Sequence, residues 1–136
     1  MLNLAFGWVW ITMGFLSGAL LGMGFHRESF MGGYGSWPRR LARLGHIAFF
    51  GTGFLNVLLG LSVLALQIEP GSGVWSLAQW SLVVGSIAMP ICCYIAACNK
   101  KTKPIFVVPV VGLTLAGVLI GFELVRAYLS TTGGAS

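Results

Sequence analysis

Four long apolar stretches divide the chain: about Leu4 to Phe25, Leu41 to Leu66, Trp75 to Cys98 and Pro104 to Tyr128. A helix needs about 20 apolar residues to cross a bilayer core of about 30 Å, and each stretch reaches that length. Period-two alternation is absent, which argues against a transmembrane barrel. A bilayer core offers no water to free backbone groups, so each stretch is predicted to be helical. The predicted fold is an all-α integral membrane protein: an up-and-down bundle of four transmembrane helices in a single domain over residues 1–136.

The breaks carry turn formers. His26 to Arg40 contains Gly32, Gly33, Gly35 and Pro38, and Gln67 to Val74 contains Glu69, Pro70, Gly71, Ser72 and Gly73. Asn99 to Lys103 is a short basic turn, and Pro104 suits the first turn of a helix, where its missing N–H costs little. Ser130 to Ser136 reads as a frayed polar tail. Pro90 falls mid-span, where it cannot donate to the Ser86 carbonyl and is expected to bend the helix.

Composition strengthens the membrane reading. Charged residues make up 8% of the chain and apolar ones 57%, against about 25% charged in an ordinary soluble domain. The first charge, Arg27, follows the first apolar run. A cleavable signal wants positive charge before its apolar core, so that run is expected to be a retained helix. The net charge of +5 does not point to nucleic acid, because the basic residues sit between apolar runs. Arg27, Arg39, Arg40 and Arg43 flank the first connection, and Lys100, Lys101 and Lys103 fill the third. The middle connection has no Lys or Arg. The positive-inside rule then places residues 26–43 and 99–103 in the cytoplasm and both termini outside. Trp8, Trp10, Trp75, Trp80 and Tyr128 are expected in an outer aromatic belt, and Tyr34, Trp37 and Tyr94 in an inner one.

Lipid gives helices no hydrophobic reason to associate, so small residues that permit close approach carry weight. Gly7, Gly14, Gly18 and Gly22 fall on one stripe of the first helix at 3.6 residues per turn. The second helix has Gly45, Thr52 and Asn56 on one stripe and His46, Gly53 and Gly60 on the next. The fourth has Gly117 and Gly121. These glycines are expected to line helix contacts.

Candidate chemistry centres on the two histidines. His26 would continue the first glycine stripe, and His46 lies about one turn inside the second span. Axial imidazoles beside small residues are what a b-type haem requires. Arg39, Arg40 and Arg43 could pair with its propionates, and Phe49 and Phe50 could wall the ring. A quinone contact or a proton relay at the same place is the related reading. Histidine near headgroups and glycine at helix contacts are also ordinary structural features.

Glu123 is the one acidic residue well within an apolar span, and an intramembrane carboxylate raises a functional hypothesis. Arg126 follows on the same face, which favours a local ion pair. Asn56, mid-span, is expected to bond across helices, worth roughly 0.6 kcal/mol. Met89 and Cys93 share a face and could hold a soft metal, although buried sulfur residues more often pack. Cys92, Cys93 and Cys98 form no disulfide framework and no zinc spacing. The run Gly32-Gly33-Tyr34-Gly35 lacks the Lys-Ser or Lys-Thr of a phosphate loop and suits an interfacial loop. The chain has no Asp, so no Ser-His-Asp nucleophile can form.

Four spans in a short chain resemble the small multidrug resistance transporters. Those carry a glutamate in the first span, where this chain has no charge, so their mechanism is not carried over. The leading expectation is a non-catalytic accessory subunit of a larger membrane complex, in a bacterial plasma membrane, with other membrane subunits as partners. The alternative is an electron-transfer protein holding haem b between His26 and His46, or meeting a quinone there. A small transporter using Glu123 is the second alternative.

Overall fold

A computed structural model describes residues 1–68 and 73–133. Glu69, Pro70, Gly71 and Ser72 of the middle connection, and Gly134 to Ser136 of the tail, lie outside the described residues. The chain forms four long helices: α1 (Leu2–Phe25), α2 (Trp37–Ala65), α3 (Gly73–Cys98) and α4 (Val107–Gly133). Short 3-10 turns cover Phe30–Gly32 and Lys100–Phe106. No strand occurs among the described residues. Each long helix has the length and apolarity to cross a membrane.

Three boundaries differ from expectation, each for a local reason. Helix α2 begins at Trp37, inside the predicted loop. Ser36 caps it by accepting from the Arg39 amide at 3.3 Å, and Pro38 occupies the first turn, where no amide hydrogen is needed. Pro104 does not open α4. It lies in the 3-10 turn, which starts at Asn99, whose side chain accepts from the Lys101 amide at 3.0 Å. The predicted tail is helical as far as Gly133. Helix α3 runs through Pro90 as one helix.

Consecutive helices pack against each other, while α1 and α4 make at most marginal contact. The pairings show that they are antiparallel. On α1 and α2, Leu4 meets Gly60, Gly7 meets Gly53, and Gly18 meets His46. Between α3 and α4, Gly85 meets Leu113, and Cys92 Sγ donates to the Ile105 carbonyl of the 3-10 turn before α4 at 3.5 Å.

Close approach is concentrated at the α1/α2 interface. A methyl on Gly7 would stand 2.7 Å from the Gly53 carbonyl oxygen, and one on Gly60 would stand 2.7 Å from the Leu4 amide nitrogen. Gly14 faces Phe49 and Phe50. Gly22, Gly117 and Gly121, also predicted to line contacts, have nothing within 4 Å of that position. Within the chain these three therefore make no close helix contact of the kind seen at Gly7 and Gly60. The α3/α4 interface instead uses Gly85 and Gly112, which approach each other's helices closely.

The buried apolar core joins Leu59 of α2, Trp75 and Leu82 of α3, and Ala116 of α4. Trp75 is thus a core residue, 8% exposed, not a belt residue. Trp8 and Trp80 are exposed, as expected. Large apolar side chains also cover the outside, including Phe15 and Leu20 on α1 and Val118 and Phe122 on α4.

Candidate functional site

Polar groups in the helical interior gather in three places along the α1–α2–α3 contact. The first joins Asn3, Asn56 and Ser86. Asn3 Nδ2 donates to Asn56 Oδ1 at 2.7 Å and to the Gln79 carbonyl at 3.2 Å. Asn56 Nδ2 donates to Ser86 Oγ at 2.8 Å and to the Thr52 carbonyl at 2.8 Å. Ser86 in turn donates to the Leu82 carbonyl. All three side chains are essentially inaccessible, so each bond forms in a low-dielectric setting where an unmade one is costly. The two amides tie three helices at a single level. Sequence reasoning singled out Asn56 but missed Asn3 and Ser86. Asn3 stands before the first apolar run and Ser86 resembles any small packing residue.

The second place is built around His46. Its Nδ1 lies 2.9 Å from Ser17 Oγ, and Ser17 also donates to the Gly14 carbonyl at 2.9 Å. With the single hydroxyl hydrogen used there, the His46 tautomer that carries its hydrogen on Nδ1 would donate to Ser17 and leave Nε2 as the ring's acceptor. The Tyr94 phenol of α3 faces the same Ser17 hydroxyl. Phe50 meets the imidazole edge to face, with centroids 5.3 Å apart. Gly18 lets the ring lie against α1, since a methyl there would stand 2.6 Å from His46 Cε1. Ser17 and Tyr94 were not singled out as site residues from the sequence. Only the three-dimensional register of α1 and α3 brings them to His46.

The third place is the connection between α1 and α2. Met31, Gly32 and Gly33 all have positive φ, at 54°, 84° and 94°. This tight loop folds Tyr34 back over the start of α2. The Arg39 guanidinium lies 4.7 Å from the Phe25 ring centre and 5.5 Å from that of Tyr34. Arg43 stacks on Tyr34 at 4.3 Å and reaches the Tyr34 carbonyl at 3.4 Å. Arg40 points outward and is exposed. Trp37 Nε1 donates to the Ala96 carbonyl at 2.9 Å, fastening this end of α2 to α3.

The predicted histidine pair is not brought together. His26 caps the end of α1 and is exposed, whereas His46 lies level with Gly18. The eight residues between Gly18 and His26 correspond to about 12 Å along the helix axis. One iron would need both rings within bonding distance on opposite faces. In addition, Phe49 turns away to pack on Trp10 at 4.8 Å. Cys93 is fully buried against Gly45. No cluster of three metal-ligating side chains occurs among the described residues.

At the opposite end, Arg126 Nη1 donates to Glu123 Oε1 at 3.5 Å. Both line an open cleft of about 640 Å³ with Leu66, Trp75 and Tyr128. A second groove, of about 340 Å³, runs between α2 and α4 past Leu55, Leu58, Ser62, Leu113, Gly117 and Gly121. No known family model, characterised protein or solved structure matches the chain.

Proposed function

We propose that the chain is an integral membrane protein and a non-catalytic accessory subunit of a larger membrane complex. Its basic connections face the cytoplasm and its termini lie outside, following the distribution of Lys and Arg. Large apolar side chains exposed on every helix support immersion in lipid, since a water-facing surface rarely carries such patches. Compactness and short connections support a bacterial plasma membrane as its location.

One observation carries the subunit reading: the groove between α2 and α4 where Gly117 and Gly121 stand open. At the α1/α2 interface, by contrast, Gly7, Gly14, Gly18, Gly53 and Gly60 each meet the neighbouring helix, although Gly22 at the end of the α1 stripe is open. A partner helix would gain the same close approach on this face, with the Ser62 hydroxyl at its edge. The chain's scarcity of intramembrane charge favours assembly over transport.

The test is purification of the tagged chain from its native membrane in mild detergent. Stoichiometric membrane partners, lost on Gly117→Leu with Gly121→Leu while the helical spectrum persists, are the expected result. A chain that purifies alone from native membranes, with or without the substitutions, overturns the reading.

The Ser17–His46–Tyr94 cluster favours a second reading, contact with a quinone whose reduced form donates a hydroxyl hydrogen to the acceptor Nε2 of His46. A reduced-minus-oxidised visible spectrum and extraction of bound quinone test it, together with any haem. Signals lost in His46→Ala would support electron transfer. Proton-coupled uptake that depends on Glu123 would overturn both readings in favour of a transporter.

A further inference from the structure

Arg39 is 6% exposed, yet among the described residues no carboxylate pairs with it. Its guanidinium carbon lies over both the Phe25 and the Tyr34 ring. Its donors are poorly served. Nη1 makes one long contact, 3.5 Å, to the Glu28 carbonyl. Nε is buried with no partner among the described residues. A buried cation without an anion is costly, and an aromatic cage offsets only part of that.

The neighbouring charges are mostly positive. Arg43 stacks on the other side of the Arg39 cage through their shared Tyr34, and Arg40 adds a third guanidinium at the first turn of α2. The α2 N-terminus contributes its own partial positive charge. Glu28 is the one acidic residue in this connection, and it approaches Arg39 through its backbone carbonyl, not its carboxylate. Tyr34 is 72% exposed and rides on the tight positive-φ loop. It is the one cage member outside a helix, and so the one that can yield to an incoming group.

We propose that Arg39 and Arg43 form a binding site for a phosphate-type anion, completed when that anion occupies the free edge of Arg39. Arg offers a planar donor fork that matches phosphate oxygens, and stacking on aromatic rings fixes the fork's plane. The phosphate comes either from an anionic phospholipid headgroup or from a soluble phosphate compound. The lipid source rests on the membrane reading, while the site chemistry does not. At the cytoplasmic headgroup level, a basic pocket between helices recognises acidic lipid by this chemistry.

The full chain is purified in detergent, stripped of lipid, and offered three probes: phosphatidylglycerol, phosphatidylcholine and inorganic phosphate. Native mass spectrometry reads retained lipid, and thermal melting reads inorganic phosphate. Phosphatidylglycerol held in preference to phosphatidylcholine identifies the lipid source. A melting shift with inorganic phosphate and no lipid preference identifies a soluble one. In either case Arg43→Gln is expected to weaken binding about tenfold or more, as loss of a charge-assisted bond requires. Arg39→Lys keeps the charge but loses the fork, and is expected to do the same. Arg43 is only half buried, so Arg43→Gln decides the matter if Arg39→Lys does not fold. Equal retention of both lipids with no phosphate shift, or unchanged binding in Arg43→Gln, overturns the proposal. A protein that needs detergent for extraction yet binds no probe leaves the membrane reading standing and removes the site.

Discussion

A methyl on Gly7 of α1 would stand 2.7 Å from the Gly53 carbonyl, whereas one on Gly117 or Gly121 of α4 would meet nothing within 4 Å. Both helices carry small residues four or seven apart, and both would pass as packing faces. In α1 and α2 the backbones themselves come into contact, so the glycines are required by the fold. In α4 the same spacing borders an open groove. A small-residue stripe therefore states that a helix can be approached closely. It does not state whether the approaching helix belongs to the same chain.

The largest effect expected from this contrast is at Gly7. The nearest atoms to a new methyl are the Gly53 carbonyl oxygen and the Val57 backbone and side chain, and backbone cannot rotate away. Overpacking of this kind costs about 1–3 kcal/mol, and the roughly 0.5–1 kcal/mol gained by replacing a helical glycine does not offset it. Gly7→Ala should therefore lower stability to reversible unfolding in micelles. If it left stability unchanged, the α1/α2 interface would be looser than described and the contrast with α4 would collapse.

Asn56→Ala is expected next, at about 1–2 kcal/mol of lost stability, since it removes the bonds three helices share and leaves Asn3 only the Gln79 carbonyl and Ser86 only the Leu82 carbonyl. Hydrogen exchange on α1 should rise with it. Loss confined to α2 would mean that Asn3 is held by Gln79 alone, and that the polar layer does not tie α1 to the bundle.

On α4 the sign reverses. Gly117→Ala in the isolated chain creates no clash and removes backbone entropy from the unfolded state, so a gain of about 0.5–1 kcal/mol is expected. The comparison is sharpest when Gly7→Ala and Gly117→Ala are measured under one condition. A loss at Gly117 would show that α4 is already covered by a second copy of the chain.

How much of this could be read in the sequence follows from what each feature depends on. The four helices were legible because lipid-length apolarity is a property of one segment. The start of α2 was misplaced because Arg39 and Arg40 interrupt the apolar run, although Ser36 and Pro38 mark a helix start by their own chemistry. The glycine stripes were legible, but their use was not. Gly22 and Gly117 differ from Gly7 only in what lies opposite. His46 was visible as a candidate, while Ser17 and Tyr94 came to it through the register of three helices. The supposed pairing with His26 failed for the same reason, because register places His26 well beyond His46. Arg39 reads in the sequence as a topology charge and, with Arg40 and Arg43, as a possible propionate partner, and only its burial beside the Phe25 and Tyr34 rings distinguishes it from Arg40.

The smallest effect is expected at the far end of α4. Glu123 and Arg126 are one turn apart, with contact at 3.5 Å, and the Arg126 side chain is 69% exposed. Exposed pairs of this kind contribute little, because water and salt screen the attraction and a long side chain must be held still. Glu123→Gln keeps the shape and removes the charge. It should change stability by about 0.5 kcal/mol or less, and that small difference should vanish in high salt. Glu123 itself is mostly covered, in the cleft with Leu66 and Trp75, so a large loss is the informative alternative. It would mean that the carboxylate fastens α4 to the ends of α2 and α3. Helix α4 would then be anchored by charge at its outer end while its glycine face stays free, and that arrangement would present the face to a partner more firmly than packing alone.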